Sequence, residues 1–560
     1  MFFRNANIDI GVFDMSSGTL TILPLGGLGE VGRNMMVYEY DGEILVVDSG
    51  LMFPDNDMYG IDYIIPDMSY IQEHASQVRG IVITHGHEDH IGSIQHLVDL
   101  VSAPIYATPL TRGLLEVKLS RNGMLAKARL QTVNAGESVQ IGPFKVEFFH
   151  VCHSIPDGVG LGIDTPLGLL VHTSDFKFDH TPVDNQPSDY ARLAEYSRRG
   201  VLALLADSTN SERPGWTPSE TVISGAFDEV FNKAKGRIII ASFASLISRM
   251  QQVVNTAIKY KRKLAFVGPS MIDNARMARR LGYLDIPENL QVGIEQALGM
   301  PASEVVIMCT GSQGEPTSIL GRLSAGTNRL FDIIPGDTVV LSSHAIPGNE
   351  EVVYRTINNL FRRGADVIYE SLAPVHVSGH ASQEEIKLMI HLVRPKYFIP
   401  IHGELRQLHQ SARLARQLGI AQNNIAVIEN GQMIHLSEQG LELGDVIPAP
   451  YVFVDGSGVG DIDESILRER ETLARDGLVM VNLTLDRFSG LPYDNPDIIT
   501  RGMLLPRESD TVLAGARQKV MEVAGKVHTN LKPQLETALS AYFNNELHRR
   551  PMVFVSISRV

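Results

Sequence analysis

The sequence predicts an α/β protein built from several domains, and three observations carry that prediction. Between Leu20 and Ser174 short β-rich segments alternate with Gly and Asn/Asp turns, the pattern of packed sheets. After Thr217 the order becomes strand, loop, helix, repeated, which marks a parallel sheet with covering helices. Near 446–451 the composition shifts to Pro448-Ala449-Pro450 and then Asp455-Gly456-Ser457-Gly458, a linker, and a small α/β tail follows.

The elements follow in order. Strands are expected at 20–25, 35–40, 43–47, 81–84, 145–149 and 169–173, each a short apolar or alternating run bounded by turn residues. A helix is expected from about Ile91. In the middle of the chain, strands at 237–241, 263–267, 304–308 and 338–341 alternate with helices such as 246–260 and 350–361. A strand at 397–400 and a helix at 405–418 come next, and the tail reads as a strand at 478–485, helices at 513–526 and 531–546, and a last strand at 552–557.

The chain has 560 residues, enough for three or four domains at about 150 residues each. Hydrophobic residues make up 44% and charged residues 20%, ordinary for a globular protein that buries a large core. Two cysteines, Cys152 and Cys309, cannot make a disulfide framework; each follows an apolar run, so buried free thiols are expected. No apolar run reaches the roughly 18 residues of a membrane span. The start of the chain lacks a basic segment followed by an apolar one, so cytoplasm is the expected compartment. The net charge of -15 argues against binding a polyanion through the whole surface. It leaves a metal-dependent nuclease open, because a bound cation supplies local positive charge. Basic groups such as Lys259-Tyr260-Lys261-Arg262-Lys263, Arg279-Arg280 and Arg362-Arg363 read as solvated helix ends.

The strongest signal is Thr84-His85-Gly86-His87-Glu88-Asp89-His90, directly after the apolar Ile81-Val82-Ile83. Imidazole and carboxylate are the ligands expected for Zn²⁺ or a similar ion. Packing alone gives no reason for so many polar side chains at a buried strand end. The spacing His85, His87, Asp89, His90 resembles the hallmark of the metallo-β-lactamase superfamily. That resemblance implies an αββα sandwich holding two divalent ions, Zn²⁺ first, with Mn²⁺ or Mg²⁺ as alternatives. It implies His85, His87 and His153 for one ion, Asp89, His90 and His402 for the other, Asp175 bridging them, and Asp48 orienting the ligands from behind. Such a site lowers the pKa of water to roughly 7 and clamps both oxygens of an in-line displacement. His150, His172 and His180 flank these motifs, and His96 and His409 fall on helices; all five read as structural or surface histidines.

About 190 residues separate Asp207 from His402, with their own βαβ pattern. This resembles the β-CASP nucleases, in which a second α/β domain caps the metal site. Asp207, His344 and His380 match their three further motifs. Within that group the stretches Gly26-Gly27-Leu28-Gly29-Glu30-Val31-Gly32-Arg33-Asn34, Ser242-Phe243-Ala244-Ser245, Thr310-Gly311-Ser312-Gln313-Gly314-Glu315-Pro316 and His376-Val377-Ser378-Gly379-His380 are similar to bacterial ribonuclease J. The implied domains are 1–215 and 373–447 for the metallo-β-lactamase fold, 216–372 for the insertion, 448–464 for a linker and 465–560 for the tail. The implied reaction is hydrolysis of single-stranded RNA, 5′→3′ from 5′-monophosphate ends and in some members internally. Asp175, Asp207 and His380 would be catalytic. Ser245, His344, His376, Ser378, Gly379 and His380 would line the substrate pocket. A homodimer or homotetramer and RNA-decay protein partners are implied too, and no membrane. The rivals are a DNA or dual-specificity nuclease, a small-molecule hydrolase and a non-catalytic scaffold. The loops at 242–245 and 310–313 suit a phosphate, though each alone equally fits an ordinary turn. Gly26-Gly27-Leu28-Gly29 is no dinucleotide loop, because strands and not a crossover helix follow it.

Overall fold

The computed structural model describes residues 18–346, 348–504, 509–527 and 529–560. The start of the chain, from which a leader is argued against, lies outside them, as does Pro347 in the motif around His344. The chain divides into two compact units, Met1–Phe53 with Ile64–Tyr451, and Pro54–Tyr63 with Val452–Val560.

The first unit holds a sandwich of two sheets. One runs Gly440–Val446, Gln432–Ser437, Leu20–Gly26, Met35–Tyr40, Glu43–Val47, Val78–Val82, Pro104–Ala107 and Arg129–Thr132. The other runs Pro395–Ile401, Val201–Asp207, Gly168–His172, Val159–Thr165, Phe144–His150 and Ser138–Ile141. Their inner faces meet through Tyr38 and Leu45 on one side and Phe148, Leu161 and Ile399 on the other, all buried. Helices Tyr190–Arg199, Gln383–Val393 and Leu405–Gln417 cover one outer face. Ile94–Leu100 and Pro109–Arg121 cover the other. This αββα layering buries both faces of each sheet, which explains the nearly unbroken apolar runs of the central strands.

Most predicted strands stand where they were read, to within a residue or two; the one expected at 81–84 stands at Val78–Val82, shifted toward the N-terminus. Two other elements differ. The helix expected from Ile91 begins at Glu88, runs only to Ile91, and restarts at Ile94. His87, extended at φ -77°, ψ 153°, caps this first turn, so Asp89 and His90 lie inside a single turn of helix. The segment expected as a linker contains Val452–Asp455 paired antiparallel with Gly458–Val459. The apolar Val452-Phe453-Val454 run ahead of the Gly456 turn favours a hairpin there.

Val201–Asp207 pairs in parallel with Pro395–Ile401, register Asp207 to Ile401, across the whole insertion. The helix Gln383–Val393 is the crossover of that βαβ unit, started by a capping box of Ser382 and Glu385. The insertion therefore sits in the loop between a strand and its crossover helix. It folds around a five-stranded parallel sheet ordered Lys263–Val267, Val305–Cys309, Ile238–Ala241, Thr338–Leu341 and Asp366–Ile368. Arg249, 1% exposed, staples it: its guanidinium donates to Glu220 Oε2 at 2.8 Å where the insertion begins and to the Val375 carbonyl at 3.0 Å where it ends.

In the second unit Leu478–Leu485 is the middle strand, antiparallel to Asp497–Arg501 and parallel to Met552–Arg559. Helices Ser509–Lys526 and Leu531–Leu547 pack on it through Ala516, Val520, Leu535, Leu539 and Phe543. Cys152 and Cys309 are buried free thiols. Among the described residues no helix is long and apolar enough to cross a membrane. Phe543 is fully buried in this core. Phe543→Ala is expected to destabilise this unit by about 3–5 kcal/mol, seen as faster hydrogen exchange in Leu478–Leu485.

Candidate metal centre

Five of the seven ligands expected from the sequence stand just past the end of a strand, and Asp89 and His90 lie in the helical turn Glu88–Ile91. His85 and His87 follow Val78–Val82, His153 follows Phe144–His150, Asp175 follows Gly168–His172, and His402 follows Pro395–Ile401. Three residues at such ends, Asp48, Ser174 and His402, adopt φ of 65°, 56° and 52°. This left-handed backbone is costly for non-glycine residues, and it turns each chain out of its sheet toward one point.

Two groups of ligand atoms converge, His85 with His87, His153 and Asp175, and Asp89 with His90, Asp175 and His402, each group within 4.8 Å. Asp175 belongs to both. Its Oδ2 lies 3.5 Å from His85 Nε2, 3.2 Å from His90 Nε2 and 3.6 Å from His153 Nε2, and its Oδ1 lies 3.4 Å from His402 Nε2. Both oxygens are buried with no hydrogen-bond partner among the described residues.

The outward ring nitrogens are all engaged. His90 Nδ1 donates to Asp48 Oδ2 at 2.8 Å, and His153 Nδ1 to the Gly379 carbonyl at 2.8 Å. His402 Nδ1 meets the Thr209 hydroxyl at 2.7 Å, and His85 Nδ1 the Thr84 hydroxyl at 3.1 Å. His87 is turned the other way, Nε2 toward Ser154 and Nδ1 inward. These contacts fix tautomers that leave lone pairs pointing at the centre. His85 Nε2, His87 Nδ1 and His153 Nε2 then crowd to 3.1–3.2 Å. Acceptors packed so closely around an unpartnered carboxylate fit a pair of divalent cations, and the donor set of five imidazoles and two carboxylates suits Zn²⁺ or a similar ion.

The electrostatics agree. Burial pushes the His85 and His153 imidazoles well below their usual range, and His87 down to about 4, so all three stay neutral. Burial would raise Asp175, yet His402, His90, His380 and His85 hold it well below the usual carboxylate range. Burial likewise opposes a charge on His402, yet Asp175, Asp207 and Asp89 push it up to about 10. The surroundings of the carboxylates thus demand positive charge.

Asp207, the last residue of Val201–Asp207, accepts from His380 Nδ1 at 2.8 Å through Oδ2 and from the Thr209 backbone and hydroxyl through Oδ1. Burial disfavours a proton on His380, but Asp207 and Asp175 overcome it and raise the imidazole. Asn210 Nδ2 donates to Ser378 Oγ at 2.7 Å and to the His380 carbonyl at 3.0 Å. Gly379 is required by close approach: a Cβ there would lie 2.5 Å from the His153 ring. The His344 and His376 rings stand 6.3 Å apart, with His344 on Glu370 at 2.5 Å and His376 Nδ1 buried and unpartnered. Ser245 sits at the loop before helix Ile247–Lys259, its carbonyl accepting from Ile247 at 2.8 Å. Asp48 joins two strands, its Oδ1 accepting from the Thr84 backbone at 2.8 Å. Thr209, Asn210 and Ser154 are the supports that the sequence reading passed over. Each lies within three residues of Asp207 or His153, which was the available signal.

A sandwich with paired ligand sets at its strand ends, capped by a second α/β domain, defines a metal-dependent hydrolase of the β-CASP kind. Family comparisons agree. Residues 28–167 match the metallo-β-lactamase superfamily, 235–360 the ribonuclease J β-CASP domain, 365–427 the Zn-dependent metallo-hydrolase RNA specificity domain, and 465–560 the ribonuclease J C-terminal domain. The chain is 41% identical to ribonuclease J2 of Bacillus subtilis over 96% of its own length and 98% of that protein. It is also 41% identical to ribonuclease J of a Synechocystis, covering 96% and 86%. A crystal structure of a protein of unknown function from Enterococcus faecalis shares the fold at 14% identity, TM-score 0.53, covering 75% of this chain and all of that one. The chain belongs to the ribonuclease J family.

His85→Ala is expected to abolish tight metal occupancy and cleavage together, checked by metal analysis of the purified protein beside an RNA assay. Gly379→Ala is expected to weaken metal affinity at least tenfold by displacing His153, read by competition with a chromophoric chelator.

Proposed function

We propose that this chain, a metal-dependent ribonuclease by family, removes nucleotides 5′→3′ from single-stranded RNA carrying a 5′ monophosphate and also cuts internally. The observation that carries the reading is the junction at the carboxyl ends of Ile238–Ala241 and Thr338–Leu341, adjacent parallel strands whose following helices, Ile247–Lys259 and Glu350–Arg362, pack into different cores on opposite faces of the sheet. Ligands bind at such switch points. Around it are Ser242 Oγ and His376 Nδ1, both buried and unpartnered, and Arg249 and Lys177 lend positive field to His376. Ser245, Ser378 and His344 belong to the same loops. A terminal phosphate would satisfy these groups, and a triphosphate would need room beyond them.

His85, His87 and His153 would hold one divalent ion, and Asp89, His90 and His402 the other, with Asp175 shared and Asp48 behind. Such a pair acidifies water and offsets charge on the phosphoryl oxygens. In the hydrolysis, water oxygen bonds to phosphorus and the P–O3′ bond breaks. Asp207 holds His380 by Nδ1, so the opposite nitrogen, Nε2, is free to give its proton to the departing O3′. Asn210 keeps His380 and Ser378 in register. Each cut releases a nucleotide with its own 5′ phosphate and leaves a new 5′ monophosphate on the remainder, so the pocket's preferred end is regenerated. Zn²⁺ is the first choice of metal, with Mn²⁺ or Mg²⁺ next. The domains fall at 1–215 with 373–447, 216–372, and 465–560 after the 448–464 connection. A cytoplasmic homodimer or homotetramer, working with RNA-decay partners, completes the reading.

One RNA sequence with a 5′ monophosphate, one with a 5′ triphosphate and a DNA counterpart test it, with product length followed over time. Early mononucleotides from the monophosphate RNA, stopped by chelator, are expected. Equal cutting of DNA would move the reading to a general nuclease, and no cutting with any of the three metals to a scaffold.

A further inference from the structure

The lone tryptophan of the chain, Trp216, is 48% exposed on the loop that leads into the insertion. Everything around it in the chain is fixed. The backbone of Gln383 donates to the Arg213 carbonyl at 3.0 Å, and that of Glu384 to the Gly215 carbonyl at 3.1 Å. Thr217, next in sequence, donates its backbone N–H to Glu385 Oε2 at 2.7 Å and its hydroxyl to the His380 carbonyl at 2.7 Å. The indole is therefore carried one residue away from a direct contact to the backbone of His380. One neighbouring ring, His180, stands 5.8 Å away, tilted by 47°, so the two do not stack face to face.

Three residues earlier Arg213 is exposed, and among the described residues its guanidinium has no hydrogen-bond or ion-pair partner. Its carbonyl accepts from the backbone N–H of Gln383, three residues past His380, which holds its backbone near that histidine. In a chain of net charge -15 an uncommitted cation at that place is notable. An exposed indole and a free guanidinium on one immobilised loop are the two elements of a single-strand nucleic-acid subsite, a stacking surface and a phosphate contact. A loop already fixed loses little entropy on binding.

We propose that Trp216 and Arg213 form a subsite for one nucleotide of the RNA beyond its 5′ end, the indole stacking on the unpaired base and the guanidinium meeting its phosphate. The proposal rests on the ribonuclease reading above. It assigns a sequence-tolerant contact, since every base has a face to stack.

Because the chain has a single tryptophan, emission excited at the red edge of the indole band, beyond the absorption of its 16 tyrosines, reports this site. The full-length protein, with chelator present to stop turnover, is titrated with 5′-monophosphorylated single-stranded RNA; quenching is expected, and Arg213→Gln should require more RNA to reach it. Unchanged fluorescence under saturating RNA overturns the subsite. In a cleavage assay with metal, Trp216→Ala is expected to raise KM about fivefold or more, and Trp216→Phe to recover most of the loss. RNAs with a single abasic residue, moved position by position, should show the same loss with the native protein at one position and no further loss there in Trp216→Ala. Additive losses at every position overturn the proposal. Binding and turnover are read separately. A chain that quenches but never cuts RNA overturns the ribonuclease reading alone, and one that cuts with unaltered fluorescence overturns the subsite alone.

Discussion

The carboxylate of Asp175 is the point on which this molecule turns. A buried carboxylate costs several kcal/mol unless charge or hydrogen bonds offset it, and none of the described residues donates to it. Four imidazoles face it instead, and each is prevented from rotating by a contact on its far side. Those far-side contacts come from four separate segments of the first unit: Thr84 beside the first strand pair, Asp48 across that pair, Gly379 from the segment returning out of the insertion, and Thr209 from the loop that follows Val201–Asp207. The centre is thus held by the tertiary fold as a whole, and a disturbance at any of these places reaches the same carboxylate.

The backbone shares this demand. Asp48, Ser174 and His402 each take a left-handed conformation at a strand end. Gly50 shows how closely the surrounding chain is drawn in, for a Cβ there would fall 1.6 Å from the Asp89 carbonyl. The sheets behind supply the rigidity that such a geometry needs, being buried on both faces and packed through large side chains such as Phe148 and Tyr38.

What could be read from the residues alone follows the reach of the interactions. The His85 cluster is legible because its imidazoles and carboxylates are neighbours in sequence and directly follow an apolar strand, a local contradiction that packing cannot explain. The strands are legible for the same local reason. Which side chain orients each ring is not. Thr209 and His402 lie 193 positions apart, and Gly379 and His153 lie 226 apart. No periodicity encodes such pairs. The hairpin at Val452–Asp455 was missed because Pro-Ala-Pro and Asp-Gly-Ser-Gly speak for a linker, while the apolar triplet between them is too short to argue otherwise.

The place of the insertion has a consequence for how such a protein can be rebuilt. Its two ends are already joined without it: the Thr217 hydroxyl lies 2.8 Å from that of Ser382, and the loop at Arg213 and Gly215 is bonded to the first turn of the crossover helix. The cap behaves as a cassette plugged into a socket whose edges are closed by the host. Exchange of that cassette for another of similar span would leave the βαβ unit and the two residues at its strand ends, Asp207 and His402, in their places. What an exchanged cassette would have to reproduce is one guanidinium able to reach both edges, the part that Arg249 plays here.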